Sequence, residues 1–333
     1  MSIDRRKFIA GIGMGGASLL MARHAAAQAV SGNDKPGAAA APADLAAERG
    51  TVLYTIGTKG GPRVGGRRGN PANLLMVDGV PFVVDCGYGV SRGLVDAGLP
   101  LDKLKYVFIT HHHSDHNLEY GNLFYNGWVT NLRTPVKSYG PIGIEQMTRD
   151  FWALNRIDVA TRMADEGRVD PHPLLQAHDL PGPGKVMEAD GVRVTSAHML
   201  HPPLEHCFAY RFDTPHGAVV FSGDTAYNPK LADFAKGADV LVHEVVYPPG
   251  VDKLVERVAN DKEAFKHHLL ASHTTPEDAG KIAQAAGVKT LVLSHFVPGD
   301  MDWITDAMWQ EGAGKHFKGQ VIVARDRQRI PVG

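Results

Sequence analysis

One short stretch limits the folds open to this chain: Phe108-Ile-Thr-His-His-His-Ser-Asp-His116. Tyr106–Thr110 is an apolar, β-prone run and reads as a buried strand. At its end come His111 and His113 at i and i+2, a spacing that aims both imidazoles to one side as the chain leaves a sheet. Asp115 and His116 follow, so a single loop offers four side chains of metal-ligand type. His112 points the other way and reads as structural. Adjacent histidines can also form a low-complexity surface tract. Such a tract has no reason to follow an apolar strand or to hold Asp-His in fixed register. The fold must therefore end a buried strand in this loop and bring further ligands to it.

Two other strand ends can supply them. Val219-Val-Phe-Ser-Gly-Asp224 places a carboxylate straight after an apolar run and a glycine, where it can bridge two cations and offset charge that imidazoles cannot. Leu291-Val-Leu-Ser-His295 repeats the arrangement with an imidazole. A further ligand lies near His198, His201 and His206, among which spacing does not choose.

The 333 residues are 44% hydrophobic, ample for a large core, and the formal charge of −1 gives no basic field for nucleic acid or an anionic membrane. Arg5-Arg6-Lys7, a weakly apolar Gly/Ala-rich run to Ala22 and Ala27-Gln28-Ala29 read as a cleavable twin-arginine signal over residues 1–29. That implies a periplasmic or secreted protein with no stable membrane anchor after cleavage. Residues 30–48, rich in Ala, Pro and Gly, read as a disordered linker before one domain over 49–333. Strands are expected at 51–56, 73–77, 81–84, 106–110, 192–197, 208–212, 218–221, 240–242, 290–293 and 320–324, with Asp78-Gly79 as a hairpin turn. Helices are expected at 90–97, 142–154, 254–269 and 276–286. Hairpins first and helix-separated strands later predict sheets covered by helices. Residues 144–175, with Phe151, Trp152, Leu154 and Ile157, read as a lid over the site. Cys86 and Cys207 read as two free, buried thiols.

Together, Gly57-Thr-Lys-Gly-Gly-Pro62, Val84-Asp-Cys-Gly87, Thr110–His116, His201-Pro-Pro-Leu-Glu205, Tyr210-Arg-Phe212, Ser222-Gly-Asp-Thr225, His243-Glu244 and Ser294-His295 resemble the metallo-β-lactamase superfamily. They look most like the branch holding ribonuclease Z and related arylsulfatase and phosphodiesterase enzymes. The resemblance implies an α/β fold, a four-layer αβ/βα sandwich with a dimetal site at its edge. It selects His201 as ligand, leaving His198 and His206 as pocket or supporting residues. It implies that His111, His113 and His201 hold one cation, Asp115, His116 and His295 the other, and that Asp224 bridges. Asp85 resembles the family's buried aspartate that braces the ligand loop. Relatives in the branch are often homodimers.

Such donors suit two divalent ions, zinc foremost, with manganese or iron also acceptable. Two cations sharing a hydroxide make a nucleophile at neutral pH, and Asp115 can orient it. His273, ahead of a helix start at Thr275-Pro276, and Glu244 resemble the family's proton-donating pair for the leaving group. The expected substrate is a small anionic ester, a phosphodiester or a sulfate ester. Nucleic acid is not expected as a partner, because His201 and Asp224 are only 23 residues apart and leave no room for the branch's tRNA-binding arm. A lactonase or thioesterase uses the same chemistry, and a non-catalytic metal-binding protein is the reading from a different class. Asp224 argues against a β-lactamase. Arg63, Arg67 and Arg68 form a basic cluster that could meet an anionic substrate.

Overall fold

The computed structural model describes residues 45–258 and 260–333. Its first sheet is built from β1 (Thr51–Gly57), β2 (Ala72–Val77), β3 (Val80–Val84), β4 (Tyr106–Phe108), β5 (Val136–Pro141) and β6 (Leu175–Leu180). The second takes β7 (Gly184–Ala189), β8 (Val192–His198), β9 (Phe208–Thr214), β10 (Gly217–Phe221), β11 (Val240–Val246), β12 (Thr290–Val297) and β13 (Gln320–Val323). A last strand, β14 (Gln328–Val332), returns to pair with β1, giving the orders β14-β1-β2-β3-β4-β5-β6 and β13-β12-β11-β10-β9-β8-β7. Each sheet opens with antiparallel hairpins and continues with parallel strands.

Burial explains the continuous apolar runs. β4 and β11 are buried at every position because both of their faces are covered. Between the sheets, Phe82, Phe108, Phe212 and Phe221 interlock edge to face at centroid separations of 5.1–6.0 Å. Outside the first sheet lie α1 (Val90–Ala97), α2 (Ser114–Asn117), α3 (Tyr120–Val129) and α4 (Ile144–Glu166), whose Leu94, Trp128 and Trp152 join one apolar cluster. The second sheet is covered by α5 (Lys230–Phe234), α8 (Pro276–Ala286) and α9 (Asp306–Gly314), while α6 (Pro248–Val258) and α7 (Lys262–Ser272) stand beside its β11 and β12 ends. This is the four-layer sandwich the sequence implied.

Several expectations change. The single helix expected over 254–269 is two, because Asp261 accepts the Ala264 amide at 3.0 Å and so caps a new start at α7. Residues 144–175, expected as a lid, pack on the first core in this structure. α4 turns Ile144, Trp152 and Val159 into the first core and leaves Leu154 and Ile157 facing outward, and none of its residues lines the metal cleft. The twin-arginine segment and the linker up to Asp44 lie outside the described residues. The linker's last residues are folded: Leu45 is buried, and the Glu48 carboxylate accepts from Tyr54 Oη at 2.7 Å and Arg329 Nη2 at 2.9 Å. Cys86 and Cys207 are both buried and free.

Candidate metal centre

Chain direction brings the ligand candidates together. The parallel strands end on one edge of the sandwich, where α/β sheets expose their loops. After β4 a short loop carries His111 and His113, and α2 carries Asp115 and His116. His201 follows β8, Asp224 follows β10, and His295 lies within β12. There β12 has one residue more than its partner: Glu244 opposes Ser294 and Val245 opposes Phe296, leaving His295 unpaired at φ 49°. This bulge re-aims a side chain that regular pleating would bury in the sheet.

Two clusters result. His113 Nδ1 lies 3.2 Å from His111 Nε2 and 3.0 Å from His201 Nε2, with Asp224 Oδ2 at 3.8 Å from both of the latter. In the second, His295 Nε2 is 3.4 Å from Asp115 Oδ2 and 3.1 Å from Asp224 Oδ2. His116 Nε2 is 3.6 Å from Asp115 Oδ2 and 3.3 Å from Asp224 Oδ1. Asp224 therefore touches both. Donor atoms of His111, His113, His201 and Asp224 lie within 4.8 Å of one another, as do those of Asp115, His116 and His295 and those of Asp224, His273 and His295.

The donor chemistry fits cations. His201 Nδ1 donates to the Ser272 carbonyl at 2.8 Å and His116 Nδ1 to Asp85 Oδ2 at 2.8 Å, which leaves each Nε2 lone pair for the centre. His116 Nε2, Asp224 Oδ1 and His295 Nε2 are buried without a hydrogen-bond partner, a costly state that a cation would relieve. Burial holds His111 and His113 below the usual imidazole range and His201 down to about 3, so these rings are neutral, the ligating form. Burial also opposes charge on His116 and His295. Nearby carboxylates, Asp224 foremost, outweigh it and push His295 up to about 10. That pull is the acids' demand for positive charge at this spot.

Asp85 braces the loop. At φ 67° it accepts from the Thr110 amide at 2.8 Å and Thr110 Oγ1 at 3.0 Å besides His116. Asp85→Asn is expected to weaken zinc binding by about 10–100-fold, read by competition with a chromogenic chelator. Unchanged affinity would reduce Asp85 to a turn residue.

Glu244, on β11, has Oε1 fixed by the amides of Thr225 at 3.2 Å and Thr274 at 3.0 Å, and presents Oε2 to His273 Nδ1 at 3.2 Å. Burial opposes charge on His273, but Glu244 raises it above the usual imidazole range. The sequence reading missed His268 on α7, which lines the cleft with ring centroids 6.1–6.3 Å from those of His201, His113 and His273. An imidazole just over one helical turn before His273 was its only signal. His198 is exposed, on the Glu205 carbonyl, and His206 is exposed too, so neither lines the cleft. The arginine cluster disperses: Arg63 lines the cleft, Arg68 stacks at 4.5 Å over Phe296, and Arg67 faces a separate cavity.

The cleft over the clusters encloses about 240 Å³. Its far wall is Leu254, Phe265, Leu269 and Val297, with Pro62 and Arg63 at one side.

Comparison with known proteins places these features. Residues 81–296 match the model of the β-lactamase superfamily domain. The chain is 29% identical over 283 residues to ribonuclease Z of Mycobacterium marinum, covering 84% of this chain and 98% of that one. Among solved structures it resembles the metallo-β-lactamase fold protein YhfI of Bacillus subtilis, with TM-score 0.63, 22% identity and coverage of 84% and 98%. It also resembles human tRNase Z, short form, with TM-score 0.61, 18% identity and coverage of 85% and 98%. A ribonuclease acts on RNA, so the curated relatives do not fit the expectation that nucleic acid is no partner.

Proposed function

The chain belongs to the metallo-β-lactamase superfamily and is a metal-dependent hydrolase, and from that premise we propose that it cleaves small, non-polymeric phosphodiesters at a two-cation centre. The observation that carries this is Asp224, within 4 Å of His111 and His201 on one side and of His116 and His295 on the other, beside a buried His273–Glu244 pair. His111, His113 and His201 would hold one divalent cation, Asp115, His116 and His295 the other, with Asp224 common to both. Zinc suits the imidazole-rich donor set. When bound, such a pair acidifies water towards neutrality and offsets charge building on the ester.

The chain's own groups do the rest. Asp115 Oδ2 accepts the Gly61 amide at 2.8 Å, which fixes the carboxylate that would orient the attacking water. Glu244 favours the protonated form of His273 against the cost of its burial. With Nδ1 turned to Glu244, Nε2 is the nitrogen left to give a proton to the departing oxygen. Leu254, Phe265 and Leu269 exclude water from the leaving group's side, and Arg63 supplies a cation for the substrate's anion. The cleft takes one compact group beside one anionic centre. The β9–β10 connection supports a small substrate, since the chain between His201 and Asp224 makes only a hairpin. Ribonucleolytic cleavage is the second reading, favoured by the 29% identity to ribonuclease Z.

A hydrolysis panel on zinc- or manganese-loaded protein tests this. It holds bis(p-nitrophenyl) phosphate, p-nitrophenyl sulfate, a lactone and a short oligoribonucleotide. Turnover of the diester above the others supports the proposal, and the oligoribonucleotide alone would favour the second reading. Sulfate or lactone turnover alone would place the activity elsewhere in the superfamily, and silence on all four with both cations bound would sink it. We also propose export through Arg5-Arg6. Replacing both by lysine should retain the protein in the cytoplasm on fractionation, and an unchanged distribution would refute that route.

A further inference from the structure

We propose that the glycine-rich loop after β1 positions the second cluster alone, and that Gly60 decides whether the chain binds two cations or one. The inference rests on the two-cation reading above. It starts from how each imidazole is held. His116 and His201 are fixed through Nδ1 by Asp85 and the Ser272 carbonyl, and His111 Nδ1 meets Thr110 Oγ1 at 3.0 Å. His295 Nδ1 has no hydrogen-bond partner although it is buried. Its ring is held by shape, and that shape includes Gly60.

A Cβ built on Gly60 would lie 2.6 Å from His295 Cε1, 2.7 Å from His295 Nδ1 and 2.5 Å from Val297 Cγ2. Real side chains do not approach so closely. Gly60 does not have a positive φ, so glycine is needed here for space and not for conformation. The His273 and His116 rings stack with that of His295 at 5.6 Å and 23° and at 5.0 Å and 28°, which limits where the imidazole can move. The next residue acts on the same cluster: the Gly61 amide donates to Asp115 Oδ2. Two of the cluster's own three residues thus take their positions from consecutive glycines.

The loop is tied down well enough for this. Gly60 N donates to the Phe296 carbonyl at 3.0 Å, and Phe296 N to that of Thr58 at 2.9 Å. Asn70 Nδ2 donates to the Gly61 carbonyl at 2.6 Å. Lys59, buried to 2% exposure, closes the loop by donating to the Arg63 carbonyl. No contact of this kind joins the loop to His111 or His201 among the described residues.

The test uses the full-length chain, stripped with chelator and titrated calorimetrically with Zn²⁺ alone. The unaltered chain should take up two equivalents. Gly60→Ala should keep the first at unchanged affinity and bind the second about 10–100-fold more weakly. Gly69→Ala, in the same loop, without a positive φ and with no atom nearer than 3.4 Å to the added Cβ, should keep both. If Gly60→Ala fails to fold, Asn70→Ala releases Gly61 without a new clash and should weaken the second equivalent in the same sense. Two equivalents of unchanged affinity in these variants, or equal weakening of both, would overturn the inference. Fewer than two in the unaltered chain would instead overturn the two-cation reading beneath it.

Discussion

Asp224→Ala should lower kcat on a phosphodiester by at least about 10³-fold, because several kcal/mol of transition-state stabilisation come from paired cations. Bound zinc should fall with it. Among the described residues, Asp224 is the one carboxylate within 4 Å of nitrogen atoms in both clusters: His111 and His201 on one side, His116 and His295 on the other. Removing it leaves converging imidazoles with no negative charge between the two cations. Asp224→Asn keeps the shape and one neutral oxygen, so it should retain more metal than alanine but little more turnover. Elemental analysis beside steady-state kinetics separates the two effects. A variant that turned over substrate normally with one cation would show that the bridge is dispensable.

The second large effect is expected at His273. Loss of a general acid typically costs about 10²–10⁴-fold, and here the cost should depend on the leaving group. His273→Ala should act severely on a diester of a simple alcohol and mildly on a p-nitrophenyl ester, whose leaving group departs without a proton. Glu244→Gln should reproduce part of this pattern, since it removes the charge facing Nδ1 at 3.2 Å. A residue with only a structural role would slow both esters equally. Equal loss on both would therefore assign His273 to the cluster of Asp224 and His295, which it adjoins, and not to proton transfer.

How much of this was legible in the sequence varies with the physics of each element. The His111–His116 loop, Asp224 and His295 announced themselves because each follows an apolar strand, and a polar ligand at a strand's end has little other reason to be there. His201 did not, since it follows a half-exposed strand and lies between two other histidines. Only the wider resemblance singled it out, and both competitors proved exposed. The bulge at His295 leaves no mark in composition. β5 was missed because Lys137, Ser138 and the Gly140-Pro141 end hide a strand whose apolar support comes from neighbours. The packing of α4 on the first core was hidden for a related reason: in a helix of 23 residues, Phe151 and Trp152 read as a hydrophobic face whichever surface they cover. The wall that does border the cleft comes from α6 and α7, where Leu254, Phe265 and Leu269 look like ordinary core residues.

The division of donors between the sheets has a consequence for assembly. For the first cation, the N-terminal half gives His111 and His113 and the C-terminal half gives His201 and Asp224. For the second, the halves give Asp115 with His116 and His295 with Asp224. Neither half alone offers more than two donors to either ion. On the two-cation reading each ion would act as a rivet through both leaves of the sandwich, and a chain with one sheet unfinished would have nothing to keep it. Metal surviving dialysis would then count the molecules in which both halves have folded and met.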